Sequence, residues 1–133
     1  MIHAIIDTNV LVAAAITHNP NSPTVRIVEH LLAGNIHIVY NAQIIREYEE
    51  VLSRPKFRIG HDKVTLLLDF VKRYGLTSLP KSYAGEMPDE SDRVFYEITL
   101  GVDDSFLVTG NLKHYPVTPQ VVTPAQMIEI IES

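Results

Sequence analysis

The 133-residue sequence contains no cysteine, which excludes disulfide bonds, zinc sites built on thiolates and enzymes with a cysteine nucleophile. A chain without disulfides fits the reducing cytoplasm, and we predict a cytoplasmic protein. The sequence also lacks a long apolar run. Near the start the longest run is Val10–Ile16, whereas a membrane-spanning helix takes about 20 residues. No basic segment precedes this run, so we expect neither a signal peptide nor a membrane segment.

The chain has no excess of positive charge. Its formal net charge is −5, which argues against a protein that coats nucleic acid by bulk attraction. Residues 41–80 carry seven Lys or Arg and five Asp or Glu, whereas residues 81–133 carry three and nine. An acidic sector beside a basic one suits a nuclease, which holds metal ions with carboxylates and phosphates with cations. An ordinary solvated surface explains the same pattern.

Several common catalytic motifs are also missing. The sequence has no Walker loop and no GxGxxG, HExxH or GxSxG motif, so the mechanisms tied to those motifs are not indicated. A phosphatase of the haloacid dehalogenase type would need a second aspartate two residues after Asp7, and Asn9 stands there. A phosphatase therefore stays only a third interpretation.

The length is typical of one domain, and we predict a single domain over residues 1–133. Short apolar or β-rich runs predict strands at Met1–Ile6, Ile36–Tyr40, Leu76–Leu79, Phe106–Val108 and Gln120–Val122. Periodic stretches between them predict helices at Val10–Ile16, Thr24–Ala33, 42–53, His61–Tyr74 and 90–100, and from Pro124 onward. Strands that alternate with helices predict an α/β fold, with helices on both faces of a mostly parallel sheet.

Such a sheet binds ligands at the carboxyl ends of its strands. Asp7 directly follows the first predicted strand, with Thr8 and Asn9 beside it. Thr109-Gly110-Asn111 follows the fourth strand, and Asn111 offers an amide oxygen to a metal or to a bound water. Each position also has a simpler interpretation. Asp7 can cap the next helix, and residues 109–111 can form a plain turn.

Two helices contribute further carboxylates. Glu47 borders the buried stripe of the third helix on one side and Glu49 borders it on the other, so the spacing leaves the choice between them open. A solvated acidic face is the alternative. Asp89 is the predicted N-cap of the fifth helix, and Asp92 lies in its first turn, where anions suit the helix dipole. His114 can contact phosphate or simply be exposed.

Four segments in chain order resemble the PIN domain (PilT N-terminus) family. The first resembles the opening of PIN domains, and the other three are similar to the subfamily described as toxin components of toxin–antitoxin systems. The segments are Ile5–Val10, Glu47–Phe57, Asp89–Asp92 and Val108–Pro116. The resemblance implies a three-layer α/β/α sandwich, a Mg²⁺- or Mn²⁺-dependent endoribonuclease, a protein antitoxin as partner, and a homodimer.

The resemblance also selects between the acids. Asp7, Glu47 and Asp92 match the family's acidic residues, and they would bind the metal. The fourth acid falls at Asn111, and Asp89 would compensate there, with Thr8, Asn9 and Thr109 in support. Ser105 stands where an aspartate is common. These departures leave the number of metal ions open.

The expected mechanism uses a metal-bound hydroxide that attacks the phosphorus in line. Arg54, Lys56, Arg58 and Lys63 are the candidates for binding the RNA backbone, although solubilising charges around a helix break explain them equally well. The competing class is a PIN-like module that binds RNA or a partner without cutting, and Asn111 is the feature that favours it.

Overall fold

The computed structural model describes residues 1–133, which form five strands and six α-helices. The strands are β1 Ile2–Ile6, β2 Ile36–Tyr40, β3 Leu76–Thr77, β4 Ser105–Val108 and β5 Val121–Val122. The helices are α1 Thr8–Ile16, α2 Pro23–Leu32, α3 Ala42–Leu52, α4 His61–Tyr74, α5 Arg93–Leu100 and α6 Pro124–Glu132. Short 3-10 turns occupy Pro55–Phe57, Glu90–Asp92 and Leu112–His114.

The five strands form one sheet in the order β3-β2-β1-β4-β5, and every neighbouring pair is parallel. The six helices flank this sheet, so the predicted α/β/α sandwich is confirmed. The chain leaves the central β1 towards β2 on one side, and later returns to β4 on the other. Strand order therefore reverses between β1 and β4, and a parallel sheet opens a crevice at the carboxyl ends of such strands.

The central strands are apolar because the sheet buries both of their faces. Ala4, Ile5 and Ile6 of β1 are completely buried, as is Leu107 of β4. The register pairs Ile6 with Val108, so β1 and β4 end side by side. The residues that follow each strand consequently emerge at the same edge of the sheet.

The start of α5 differs from the prediction. Asp89 caps a 3-10 turn instead of the helix, because its side chain accepts hydrogen bonds from the backbone N and the hydroxyl of Ser91, at 3.0 and 2.7 Å. The α-helix itself begins at Arg93. Asp92 consequently ends the tight turn and stands at the N-cap position of α5.

No helix of the protein combines the length and the apolar character that crossing a bilayer requires. The cytoplasmic location and the division into a single domain stay predictions.

Candidate metal centre

Asp7 lies at the carboxyl end of β1, where its backbone N donates to Val108 O at 2.9 Å. The side chain is only 4% exposed, and its Oδ2 accepts hydrogen bonds from Thr109 Oγ1 and from the Tyr115 hydroxyl, both at 2.9 Å. Asp7 occupies the N-cap position of α1 without any side-chain capping bond. Its carboxylate is therefore held at the crevice and does not cap the helix.

Glu47 and Glu49, which helical spacing could not separate, differ in the structure. Glu47 is half-buried and its Oε2 accepts a hydrogen bond from the Thr8 hydroxyl, whereas Glu49 is exposed. The buried Tyr48 fixes this part of α3, because its hydroxyl donates to the carbonyl of Ile6, the last residue of β1. Glu47 is thereby held beside the strand end that carries Asp7.

Asp89, Asp92 and His114 form a third group at the same edge. His114 Nδ1 lies 3.0 Å from Asp92 Oδ2 and 3.7 Å from Asp89 Oδ2. One ligand atom from each of the three residues lies within 4.8 Å of the others, a spacing at which they can share a metal ion. The sequence had suggested His114 as a phosphate contact, and the structure places it against these carboxylates.

Asn111 reaches the carboxylates through His114. Its Nδ2 lies 2.8 Å from His114 Nε2. When the amide donates to Nε2, the ring proton stays on Nδ1, where it can be donated to Asp92. The backbone N of Asn111 donates to Thr109 Oγ1 at 3.0 Å, and Asn9 Oδ1 accepts from the backbone N of Gly110 at 3.2 Å. The supporting residues thus tie the two strand ends together.

The carboxylates converge on one open cleft of about 520 Å³. Its polar lining consists of Asp7, Thr8, Asn9, Glu47, Asp89, Ser91, Asp92 and His114. Its apolar lining consists of Val12, Ala13, Ile16, Val51 and Phe57. The cleft therefore joins a carboxylate cluster to an apolar surface.

The electrostatics of the cleft favour a cation. Burial, the charge of Asp7 and the charge of Asp89 raise the pKa of Asp92 to about 6, against the opposing effect of His114. Burial also raises the pKa of Glu47, and the nearby Asp7 charge adds to this, although the Thr8 hydrogen bond lowers it. No ion pair joins Asp7, Glu47 or Asp92 to a lysine or an arginine. Clustered oxygen donors without such a partner fit a hard divalent ion.

The raised pKa of Asp92 predicts a pH-dependent stability of the metal-free protein. The folded state holds this proton more tightly than the unfolded chain, in which the pKa is about 3.9. The resulting stabilisation is complete below about pH 4 and is lost as the pH rises through about 6. Thermal melts in EDTA should therefore give a lower melting temperature at about pH 7.5 than at about pH 5.

Asp92→Asn supplies the control for this measurement. The variant cannot take up the proton, so its melting temperature should fall less between the two pH values than that of the wild-type protein. An equal fall in both proteins would show that other groups cause the dependence.

Tyr115 is the site residue that the sequence did not reveal. It is 2% exposed, and burial together with the charges of Asp7 and Asp92 raises its pKa well above the usual range. The hydroxyl therefore stays protonated and donates to Asp7. The position of Tyr115 in the sequence does not indicate its contact with Asp7, because the 3-10 turn Leu112–His114 brings the chain back towards the end of β1. The only indication in the sequence was that Tyr115 lies within Val108–Pro116, one of the four segments that resemble the PIN domain family.

The predicted RNA-binding cations lie in different surroundings. Arg54 Nη2 pairs with Glu50 Oε2 at 2.8 Å, whereas Lys56 and Arg58 are exposed without a carboxylate partner. Arg54 and Arg58 both line a pocket of about 250 Å³ at the start of α4. Lys63 donates to Ala15 O and borders a separate apolar cavity. Lys63 therefore already has a hydrogen-bond acceptor within the protein, whereas Lys56 and Arg58 have no carboxylate partner.

Residues 3–113 match the family model described as PIN domain, and this range includes Asp7, Glu47, Asp92 and Asn111 but ends just before His114. The comparison with curated proteins and the comparison with solved structures each gave no match.

Proposed function

Since the chain belongs to the PIN domain family, whose members are generally nucleases, we propose that it is a metal-dependent endoribonuclease that cuts RNA phosphodiester bonds. The observation that carries this proposal is the convergence of Asp7, Glu47 and Asp92 on one cleft without a lysine or arginine partner. Such a cluster of carboxylates is costly unless a cation relieves the repulsion. Residues 1–133 would form one nuclease domain.

Asp7, Glu47 and Asp92 would hold Mg²⁺ or Mn²⁺, with Asp89 and His114 beside them. When bound, such an ion supplies a water of lowered pKa as nucleophile and a positive charge for the departing oxygen. The surrounding residues orient the ligands. Thr109 and Tyr115 hold one oxygen of Asp7, which leaves its other oxygen for the ion.

Two further contacts orient the remaining acids. The Thr8 hydroxyl holds one oxygen of Glu47, and the His114 ring, set by Asn111, holds one oxygen of Asp92. Hydrogen bonds of this kind to metal ligands fix their geometry and are worth roughly 10- to 100-fold in affinity or activity. Asn111 would consequently act by positioning His114, and the missing fourth acid need not abolish activity.

The test of the function uses a single-stranded RNA, a small phosphate ester and the purified protein. We expect cleavage of the RNA with Mn²⁺ or Mg²⁺, none in EDTA, and no hydrolysis of the ester. Hydrolysis of the ester with the RNA spared would instead identify a phosphatase.

A second candidate function is a PIN-like module that binds RNA or a partner without cutting. Asn111 favours it, because the family's fourth acid falls at this position. Calorimetry with Mn²⁺ separates the two candidates: a nuclease should bind the ion through its carboxylates, whereas a module that only binds RNA should show no such affinity.

We further propose that the protein is the toxin of a toxin–antitoxin pair and that it forms a homodimer. An apolar cavity of about 380 Å³ is lined by residues of α1, α2 and α4. This cavity supports the proposal that the protein has a protein partner. Leu32 and Leu66 at this cavity are 59% and 71% exposed. Apolar surface of this kind is typical of an interaction site. An antitoxin gene beside the coding gene would support the toxin role.

Light scattering at micromolar concentration should return twice the 15.0 kDa mass of the chain. If the apolar cavity of α1, α2 and α4 is the dimer contact, Leu66→Asp should give the monomer mass, since the charge would be buried at the contact. Leu79→Asp is the matched control, because Leu79 is 84% exposed and lies outside this cavity. A wild-type monomer at this concentration would contradict the dimer.

A further inference from the structure

We propose that the apolar part of the cleft is a nucleobase subsite, in which Phe57 stacks on an unpaired base of the RNA. The inference rests on the proposed function. The RNA substrate of the proposed nuclease would have to offer a single strand or a loop with an accessible base. Four features of the structure support it.

The first feature is the position of Phe57. Its half-buried ring lines the same cleft as the three carboxylates, together with Val51 and Ile16, which is 44% exposed. Val51 lies four residues after Glu47 on α3, a rise of about 6 Å along the helix axis. The apolar surface thus begins one helical turn from a proposed metal ligand, close enough for a nucleotide whose phosphate is at the carboxylates.

The second feature is the hydrogen-bonded turn that holds the backbone of Phe57. Pro55 begins the 3-10 turn, and the turn is closed by hydrogen bonds from Phe57 N to Arg54 O and from Arg58 N to Pro55 O, each 3.1 Å long. Arg58 then adopts a left-handed conformation with φ 53°. Residues other than glycine rarely adopt this conformation, and its cost of roughly 1–3 kcal/mol has to be offset by the surrounding structure.

The third feature is the charge around the ring. Lys56 Nζ lies over the Phe57 ring, 5.1 Å from its centre, so a stacked base would take the place of this cation or use the other face of the ring. Arg58 follows directly in the chain. Both cations are exposed. An aromatic ring with flanking cations matches a ligand that alternates bases with phosphates, and proteins that bind single strands combine these two elements.

The fourth feature is that the acidic and apolar parts share one cleft. A metal at the carboxylates accounts for Asp7, Glu47 and Asp92. Val51 and Phe57 also pack against the hydrophobic core, but neither role accounts for an apolar surface that is open to the cleft. A planar base fits that lining, because every base has an apolar face whatever its sequence. Stacking on Phe57 would require the base to leave a duplex, so the enzyme should prefer unpaired RNA.

Phe57→Trp tests the subsite directly, because the chain contains no tryptophan and the variant would carry a single fluorescent reporter. The probe is tetra-adenylate RNA, with Ca²⁺ in place of Mn²⁺ and intact probe verified on a gel. Its abasic counterpart has the same phosphates without bases. Tetra-adenylate should quench the tryptophan and the abasic strand should not. Tyr74→Trp is the matched control, since Tyr74 is exposed and lies outside the cleft.

Phe57→Leu provides a second measurement, which does not depend on the reporter. Leucine keeps an apolar side chain but removes the stacking face, so binding of tetra-adenylate should weaken by roughly 5- to 100-fold. Affinity for the abasic strand should change less than twofold, and the affinity for Mn²⁺ should stay at the wild-type value. A general loss of structure would lower all three affinities together.

The outcomes separate this proposal from the proposed nuclease function. Quenching by tetra-adenylate in a protein that cuts no RNA would support the subsite and contradict the nuclease. RNA cleavage without quenching would contradict the subsite alone. Equal quenching by both strands, or no binding of tetra-adenylate at all, would also overturn the subsite.

Discussion

Asp7→Asn should abolish Mn²⁺-dependent RNA cleavage while the protein keeps its fold. The substitution removes one negative charge from the proposed metal site, and carboxylate charge is a main source of affinity for hard cations. We expect a loss of at least roughly 100-fold, since even the outer partners of metal ligands are worth up to that much. The measurement is cleavage of a single-stranded RNA with added Mn²⁺.

The fold should survive because the partners of Asp7 adapt. The hydroxyls of Thr109 and Tyr115 can each donate or accept, so they can pair with either end of an amide. The melting temperature in EDTA should stay the same or rise, because repulsion within the carboxylate cluster is relieved. Mn²⁺ should raise the melting temperature of the wild-type protein by mass action and leave the variant nearly unchanged.

Asp103→Asn is the matched control for this experiment. Asp103 is exposed and precedes β4, so it lies at the opposite edge of the sheet from Asp7. The control should retain wild-type cleavage and the wild-type response to Mn²⁺. An Asp7→Asn protein as active as the wild type would refute the proposed role of this carboxylate.

Glu47→Gln should also reduce cleavage by roughly 100-fold, whereas Glu49→Gln should leave it unchanged. The two glutamates lie two residues apart on α3, but only Glu47 lines the cleft. Glutamine at position 47 keeps an oxygen that can accept the hydrogen bond from the Thr8 hydroxyl, so the variant measures the effect of the lost charge alone. Cleavage rates and Mn²⁺ calorimetry on the same preparations would test both variants.

Two outcomes would contradict the expectations for the Glu47→Gln and Glu49→Gln variants. Wild-type activity in both variants would mean that α3 contributes no metal ligand, and the proposed site would then have to be built on Asp7, Asp92 and the neighbouring Asp89. A loss in Glu49→Gln alone would overturn the assignment of the cleft itself.

The central part of the fold could be predicted from local pattern alone. The runs Met1–Ile6 and Ile36–Tyr40 are apolar because the sheet buries both faces of its inner strands, and the structure places β1 and β2 within a residue of the prediction. The edge strand β3 was predicted to reach Leu79 but ends at Thr77. At an edge, strand length depends on which backbone groups of the neighbouring strand are left to pair, and local sequence does not record this.

The candidate site was predictable in part. Asp7 could be placed at the rim of the sheet because it follows a buried strand. The local sequence could not distinguish whether its carboxylate caps a helix or has a functional role. Spacing left Glu47 and Glu49 equivalent, and only the family resemblance favoured Glu47. The structure separates them by exposure and by the hydrogen bond from Thr8.

The alternation of strands and helices, the parallel sheet and the rim at which its polar residues gather could all be predicted from the order of the residues, since they follow from local hydrophobic pattern and strand direction. Which side chains meet at that rim depends on the folded chain in three dimensions. Tyr115 contacts Asp7 across 108 positions, and His114 contacts Asp92 across 22. Contacts over such separations depend on how the completed sheet and its turns pack in three dimensions, which no local pattern of residues specifies.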